Sequence, residues 1–323
     1  MALFVNTNVS SINTQNKLNI NTVALNTSYQ RLSSGLRINT AEDDAAGLQI
    51  SEQLTTQIKG LDQGNRNSDD GIGFLQTVDG AVDEIVTSLQ TARTKLVQAA
   101  NGTNSKNDLA ALKTELDSLF LHSAAIATDT TYGGEKILLG WQPNREDSIY
   151  EKPTANAKNY DPGKLRLQVG ANSGTFIDAR IENFFIPQIV ATEKPNGGNK
   201  SIEDLSNGTF TVTKDNKGVV ESMSFKMDSQ EDARNALAVM DYIIAEVDSR
   251  RGDVGSYMNR LESTMRNHSN VSSNHSDVRS RMRDTDFAAE TANLTQTNIL
   301  QQSAQTILSQ ANQRPALAIS LLN

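Results

Sequence analysis

"QRLSSGLRINTAEDDAAGLQIS", Gln30 to Ser51, decides how the rest of the chain is read. It separates two stretches with helical patterning, yet it carries a glycine, paired serines, an Asn-Thr pair and three consecutive acids, Glu42, Asp43 and Asp44. Upstream, Leu18, Leu25 and Leu32 recur every seventh residue, with Tyr29 between, and the stripe stops there. Gly35 can adopt the positive φ that ends a helix. Asn39 or Thr40 is then expected to cap the next helix, with the acids crowding its positive end. The stretch reads as a built joint between two helices rather than a catalytic loop. A cation site on the acids is the alternative, but capping explains them more simply.

Beyond the joint, Leu54, Ile58, Leu61, Ile72, Leu75, Val82, Ile85, Leu89 and Leu96 fall on alternating steps of four and three, with polar Asn65 and Ser68 taking two positions. That is a heptad seam, and at 1.5 Å per residue it predicts a rod of about 68 Å from Leu54 to Ala99. "NGTNS" at 101–105 breaks it, and a further helix follows through Leu109, Leu112, Leu116, Leu119 and Ile126 until "TYGG". In the C-terminal half, Val254, Met258, Leu261, Met265, His268, Ser272, His275 and Met282 make a second seam able to pair antiparallel with the first. Neither narrow stripe buries much alone, so the two must meet. At the far end, Leu294, Ala304, Leu308, Ala311, Ala318 and Leu322 form a stripe comparable to that of Leu18, Leu25 and Leu32. Both ends are rich in Asn, Gln, Ser and Thr, as expected of segments that order only with partners.

Composition bounds the possibilities. The 323 residues contain no Cys, which removes disulfide and thiolate chemistry, and the net charge of -8 argues against nucleic acid or an anionic membrane as partner. "MALFVNTNVSSINTQ" has no basic stretch and no apolar core, so it is not read as a cleaved signal peptide, and no run approaches a membrane span. Aromatic residues and prolines concentrate in 141–229. There "KLRLQV", "TFIDARI" and "SMSFKM" alternate as strands, with turns expected at "GANSG" and "KDNKG". The expected fold is mainly α: long antiparallel coiled-coil helices from both chain ends forming a rod, with a small β-rich insert.

Catalytic patterns are sparse. Of three histidines, His268 and His275 are seven apart, about 10 Å along a helix, which is too far to share one metal. They read as seam residues. The RGD triplet at 251–253 falls within a heptad pattern and is expected on a helix, not as an adhesion loop. No phosphate-binding or dinucleotide pattern surrounds the glycines. No cofactor, metal or catalytic residue is expected.

Several quoted segments, with the opening "NTN", "ANGTNS", "LQVGAN" and the close "NILQQSAQTILSQANQRPALAISLLN", resemble bacterial flagellin in the right order. The resemblance covers about 1–140 and 230–323. It implies a non-enzymatic subunit that polymerises into the extracellular flagellar filament and leaves the cell unfolded through the flagellar export apparatus, without a cleaved signal. It also implies three regions: 1–39 with 284–323 as a terminal coiled coil lining the filament channel, 40–140 with 230–283 as an inner rod, and 141–229 as a short surface insert. Leu18, Leu25, Leu32, Leu294, Leu308, Leu322, Leu54, Ile58 and Leu61 are the expected assembly residues. Implied partners are copies of the same chain, an export chaperone, the filament cap, hook-associated proteins and host immune receptors. Gln30, Arg31, Asp43 and Asp44 lie in the segment that resembles the one plant receptors recognise. "QTARTKLVQ", with Gln90, Thr91, Arg93 and Lys95, resembles the stretch read by an animal Toll-like receptor, but Thr91 replaces an Arg and Lys95 a Leu. A hook–filament junction protein is the alternative within the structural class.

Overall fold

The computed structural model describes residues 7–141, 149–151, 163–192, 208–214 and 220–320. Leu322 and most of the expected "KDNKG" turn lie outside them, and so do the side chains of 314–320. The chain divides into two compact units, Met1–Lys59 with Asn270–Asn323, and Gly60–Ser269.

In the first unit, helix α1 (Val9–Ser34) ends where Gly35 takes φ 71° and donates its N–H to the Arg31 carbonyl at 2.8 Å. Helix α2 (Ala45–Ala99) begins later than the sequence suggested. Its cap is Asp44, whose Oδ1 accepts the Gly47 N–H at 2.9 Å, rather than Asn39 or Thr40. Those two residues belong to a turn closed by Asp43, whose Oδ2 accepts both their N–H groups at 3.0 Å. Adjacent carboxylates divide the work, one closing the turn and the next capping the helix. The Asp43 carboxyl is held below the usual carboxylate range, chiefly by the Thr40 N–H and then by that of Asn39.

The other end of this unit breaks in register with the joint. Helix α5 (Gln230–Arg283) stops at Arg283, and α6 (Phe287–Ser320) starts with Asp286 accepting the Ala288 N–H at 2.9 Å. The two breaks are laced together: Leu36 forms a β-bridge with Asp284, Arg37 N–H donates to the Arg283 carbonyl at 2.6 Å, and Thr285 N–H to that of Gly35 at 2.9 Å. Arg283 also reaches Glu52 at 2.7 Å.

The second unit is built on the 60–99 part of α2, helix α3 (Lys106–Asp129) and the 230–269 part of α5. Buried Ser68, Gly71, Leu75, Val78, Val82, Ile85, Leu89, Ala92, Leu96 and Ala99 keep the four-and-three stepping expected of α2. Ile72, placed on that seam from sequence, is half-buried; Gly71 takes the position, because Leu167 and Leu261 fill the space where its side chain would be. Ser105 and Asp108 form a reciprocal capping box that starts α3. Along α5, Val254 and Leu261 are buried, whereas Met258 and His268 are half-buried.

The "TYGG" stop is more than a terminus. Strands β1 (Thr131–Tyr132) and β2 (Glu135–Lys136) form a hairpin whose two glycines carry φ 61° and 90°, the positive pair that a tight hairpin turn requires. Two further antiparallel hairpins follow: β3 (Gly163–Gln168) with β4 (Phe176–Ile181), and β5 (Phe210–Lys214) with β6 (Val220–Phe225). A short helix, α4 (Ile186–Thr192), lies between them and was not expected. Ile181, Phe184, Ile186, Phe210 and Phe225 join Leu75, Leu116 and Met240 in one hydrophobic core. The insert is thus continuous with the helices instead of having a core of its own.

Candidate assembly surfaces

Helices α1 and α6 pair antiparallel, and polar bonds flank an apolar seam. Asn8 Nδ2 donates to the Ala311 carbonyl at 2.7 Å, Ser11 Oγ to Asn312 Oδ1 at 2.8 Å, and Gln301 Nε2 to Thr22 Oγ1 at 3.3 Å. Among the expected terminal residues, Leu25 is buried, while Leu18, Leu32, Leu294 and Leu308 are half-buried. Ala304 and Ala311 close the seam from the α6 side. Near the joint, Arg31 lies 3.6 Å from Asp43 and 3.8 Å from the buried carboxylate of Glu290. One guanidinium therefore holds α1, the turn and the first turn of α6.

The pair leaves apolar side chains uncovered on the outer face of each helix. Ile20 is 61 % exposed, Val23 65 %, Ile299 58 % and Ile307 54 %, with Val9, Ile12 and Leu300 also open. An isolated exposed apolar side chain needs no explanation, but several on a pair of neighbouring helices mark a contact surface. Sequence reasoning tracked the heptad leucines and missed these side chains. The signal was present in the spacing of Val9, Ile12, Ile20 and Val23, which suits a helix with two apolar faces.

Farther along α2, Leu54 is half-buried, whereas Ile58 and Leu61 are buried. A face of small residues lies beyond them. A β-carbon on Gly60 would stand 2.5 Å from that of Ala171, and one on Gly64 would stand 1.8 Å from the Val169 carbonyl oxygen. The β3–β4 turn therefore rests directly on the helix backbone, and Asn67 Nδ2 anchors it through the Gln168 carbonyl at 2.8 Å. The sequence offered only helix-interior glycines, which are ambiguous without the partner.

The residues that resemble immune-receptor contacts lie on two elements. Gln30, Asp43 and Asp44 are exposed and Arg31 is half-buried. Gln90 and Thr91 are exposed on α2, Arg93 pairs with Asp241 of α5, and Lys95 pairs with Glu115 of α3 at 2.7 Å. The RGD triplet is helical, and Arg251 bonds Asp79 and Asp83, each at 2.7 Å. Among the described residues, no group of three or more His, Cys, Asp or Glu could hold a metal ion, and no helix is long and apolar enough to cross a membrane.

Two family models match the chain: the bacterial flagellin N-terminal helical region over residues 5–142 and the bacterial flagellin C-terminal helical region over 237–322. The chain belongs to the bacterial flagellin family. The flagellin of Bacillus subtilis is 36% identical over 320 residues, covering 98% of this chain and 99% of that one. Flagellin A of Vibrio cholerae is 36% identical over 381 residues and spans the whole of both chains. Among solved structures, Bacillus cereus flagellin is 22% identical with a TM-score of 0.42, covering 63% of this chain and 88% of that one. A flagellar hook-associated protein of Vibrio parahaemolyticus, at 15% identity, a TM-score of 0.45 and coverage of 75% of this chain and 97% of its own, is too distant to support the junction reading. The flagellin-family chain is a structural subunit of the bacterial flagellar filament. The family is a structural one.

Proposed function

We propose that the α1–α6 pair is the main polymerisation element, with the open side chains of Ile12, Ile20 and Val23 on one helix and Ile299 and Ile307 on the other covered by neighbouring copies in the filament. The exposure of these side chains on helices already paired through other residues is the observation that carries this reading. Leu18, Leu25, Leu32, Leu294 and Leu308 hold the pair, while Leu322 lies outside the described residues. In this division of labour, 1–39 with 284–323 lines the channel, 40–140 with 230–283, including Leu54, Ile58 and Leu61, forms the inner rod, and 141–229 faces solvent. The ends order on assembly. Export proceeds unfolded through the flagellar apparatus, aided by a chaperone; the absence of Cys suits a chain that crosses compartments in that state. The cap and hook-associated proteins bound the growing polymer.

Val23→Asp combined with Ile299→Asp tests the reading. Burying an apolar side chain of this size contributes about 1.5–3 kcal/mol, and a buried unpaired carboxylate opposes it further. The variant is expected to stay monomeric in a pelleting assay while Trp141 fluorescence shows an intact second unit. Normal filaments from this variant would overturn the assignment.

Host recognition is the finer part of the proposal. Gln30–Ser51, with Gln30, Arg31, Asp43 and Asp44, is offered as a plant-receptor segment, altered by Glu42 where the family commonly has Lys. Gln90, Thr91, Arg93 and Lys95 form a weak Toll-like receptor surface, lacking the donor-rich Arg and the apolar Leu of the family stretch.

A further inference from the structure

The turn between α2 and α3 carries chemistry that assembly does not use. Asn101 and Gly102 are both exposed there. The Gly102 N–H donates to no group among the described residues, and the Asn101 carboxamide is equally free. Apart from its chain neighbours, a β-carbon added at Gly102 would meet only Gln230 Oε1, at 3.9 Å. Asn104, three residues on, is the opposite case. Its Nδ2 donates to the carbonyls of Gln98 at 2.6 Å, Ala99 at 3.3 Å and Asn101 at 3.2 Å.

We propose that Asn101 is a spontaneous deamidation site in the folded protein. The Gly102 amide nitrogen attacks Asn101 Cγ. A Cγ–N bond forms as the Cγ–Nδ2 bond breaks, and the Gly102 amide proton departs with that nitrogen as ammonia, leaving a five-membered succinimide. Water then adds to either ring carbonyl and opens the ring, to aspartate or to isoaspartate, in which the main chain runs through the former side chain. Hydrolysis is the net change, so no oxidant or reductant is involved. Glycine at the second position favours closure, because no β-carbon obstructs the attack and the backbone rotates freely. The product places a negative charge just beyond the C-terminal end of α2, where the helix dipole is already negative. Isoaspartate also displaces the Asn101 carbonyl, which accepts bonds from both the main chain and the side chain of Asn104.

The test uses the full-length monomer at mildly alkaline pH, folded and in urea, with trypsin cleavage and mass spectrometry. One peptide, Leu96–Lys106, contains both asparagines. The expected result is conversion of Asn101 to aspartate and isoaspartate in the folded protein while Asn104 persists, at a rate within a few-fold of that in urea. Gly102→Ala should slow the reaction several-fold in both states. The proposal is overturned if folding protects Asn101 by more than an order of magnitude, as a turn that reacts only after local opening would. It is equally overturned if Asn104 converts as fast as Asn101 in the folded state.

Discussion

The Val169 carbonyl oxygen stands 1.8 Å from where a β-carbon on Gly64 would have to be. The obstacle is backbone, held in place by the Val169 and Gly170 N–H groups, which both donate to the Thr175 carbonyl at 3.1 Å. Gly64→Ala would gain about 1 kcal/mol of helix propensity, but overpacking typically costs about 1–3 kcal/mol. Here the neighbour cannot rotate away, so the loss should win. The same substitution at Gly73 or Gly80 meets nothing within 4 Å. Urea unfolding is expected to place Gly64→Ala below the parent and Gly80→Ala above it by up to about 1 kcal/mol. A stabilised Gly64→Ala would mean that the β3–β4 turn does not rest on α2.

Arg250 is a buried cation on α5. It bonds Glu246 at 2.9 Å and donates to the Asn183 carbonyl that precedes α4. Hydrogen bonds to a charged group contribute about 1.5–3 kcal/mol each way they are broken. Arg250→Met keeps the stem and removes the donors, and it should destabilise the second unit within that range. Trp141, the single tryptophan and a buried one, reports the transition. A change below about 0.5 kcal/mol, the usual surface value, would show that Asn183 finds another donor.

His268 gives a pH dependence. Burial lowers its pKa below the ordinary 6.5, and its Nδ1 is buried without a hydrogen-bond partner. The unfolded chain therefore binds a proton more readily than the folded one, and the sign follows: the contribution is complete above about pH 6.5 and is lost as pH falls toward the folded pKa. His268→Leu should reduce the loss of urea midpoint between about pH 7 and 5. An unchanged slope would assign the acid sensitivity to other groups.

The receptor proposal has its own test. Hot-spot residues at interfaces typically contribute about 2 kcal/mol or more, roughly thirty-fold in affinity. Thr91→Arg with Lys95→Leu restores the family's donor and apolar side chain, and it also breaks the ion pair with Glu115. Exposed pairs of this kind contribute only about 0–1 kcal/mol, so folding should survive. A Toll-like receptor reporter assay is expected to show weak activation by the parent monomer and a clear gain for the double variant. Full potency in the parent would defeat the idea.

Periodicity and turn chemistry sufficed for the helical scheme. Leucines seven apart, "SSG" ending at Gly35, "NGTNS" before α3 and the alternation of "KLRLQV" each express a local preference that the tertiary structure had no reason to override. Ordered family segments likewise carry the flagellin resemblance in the sequence itself. Choices between near neighbours were decided only in three dimensions. Asp44 rather than Asn39 or Thr40 caps α2 because Asp43 has already closed the preceding turn. Gly71 rather than Ile72 holds the seam because Leu167 and Leu261 occupy the space. The Leu36–Asp284 bridge joins residues almost a whole chain apart, and no window of sequence could reveal it. A helix's hydrophobic period reports how wide its apolar face is, but only the surface that packs against it determines which residues on that face are covered and which stay open for a neighbouring subunit.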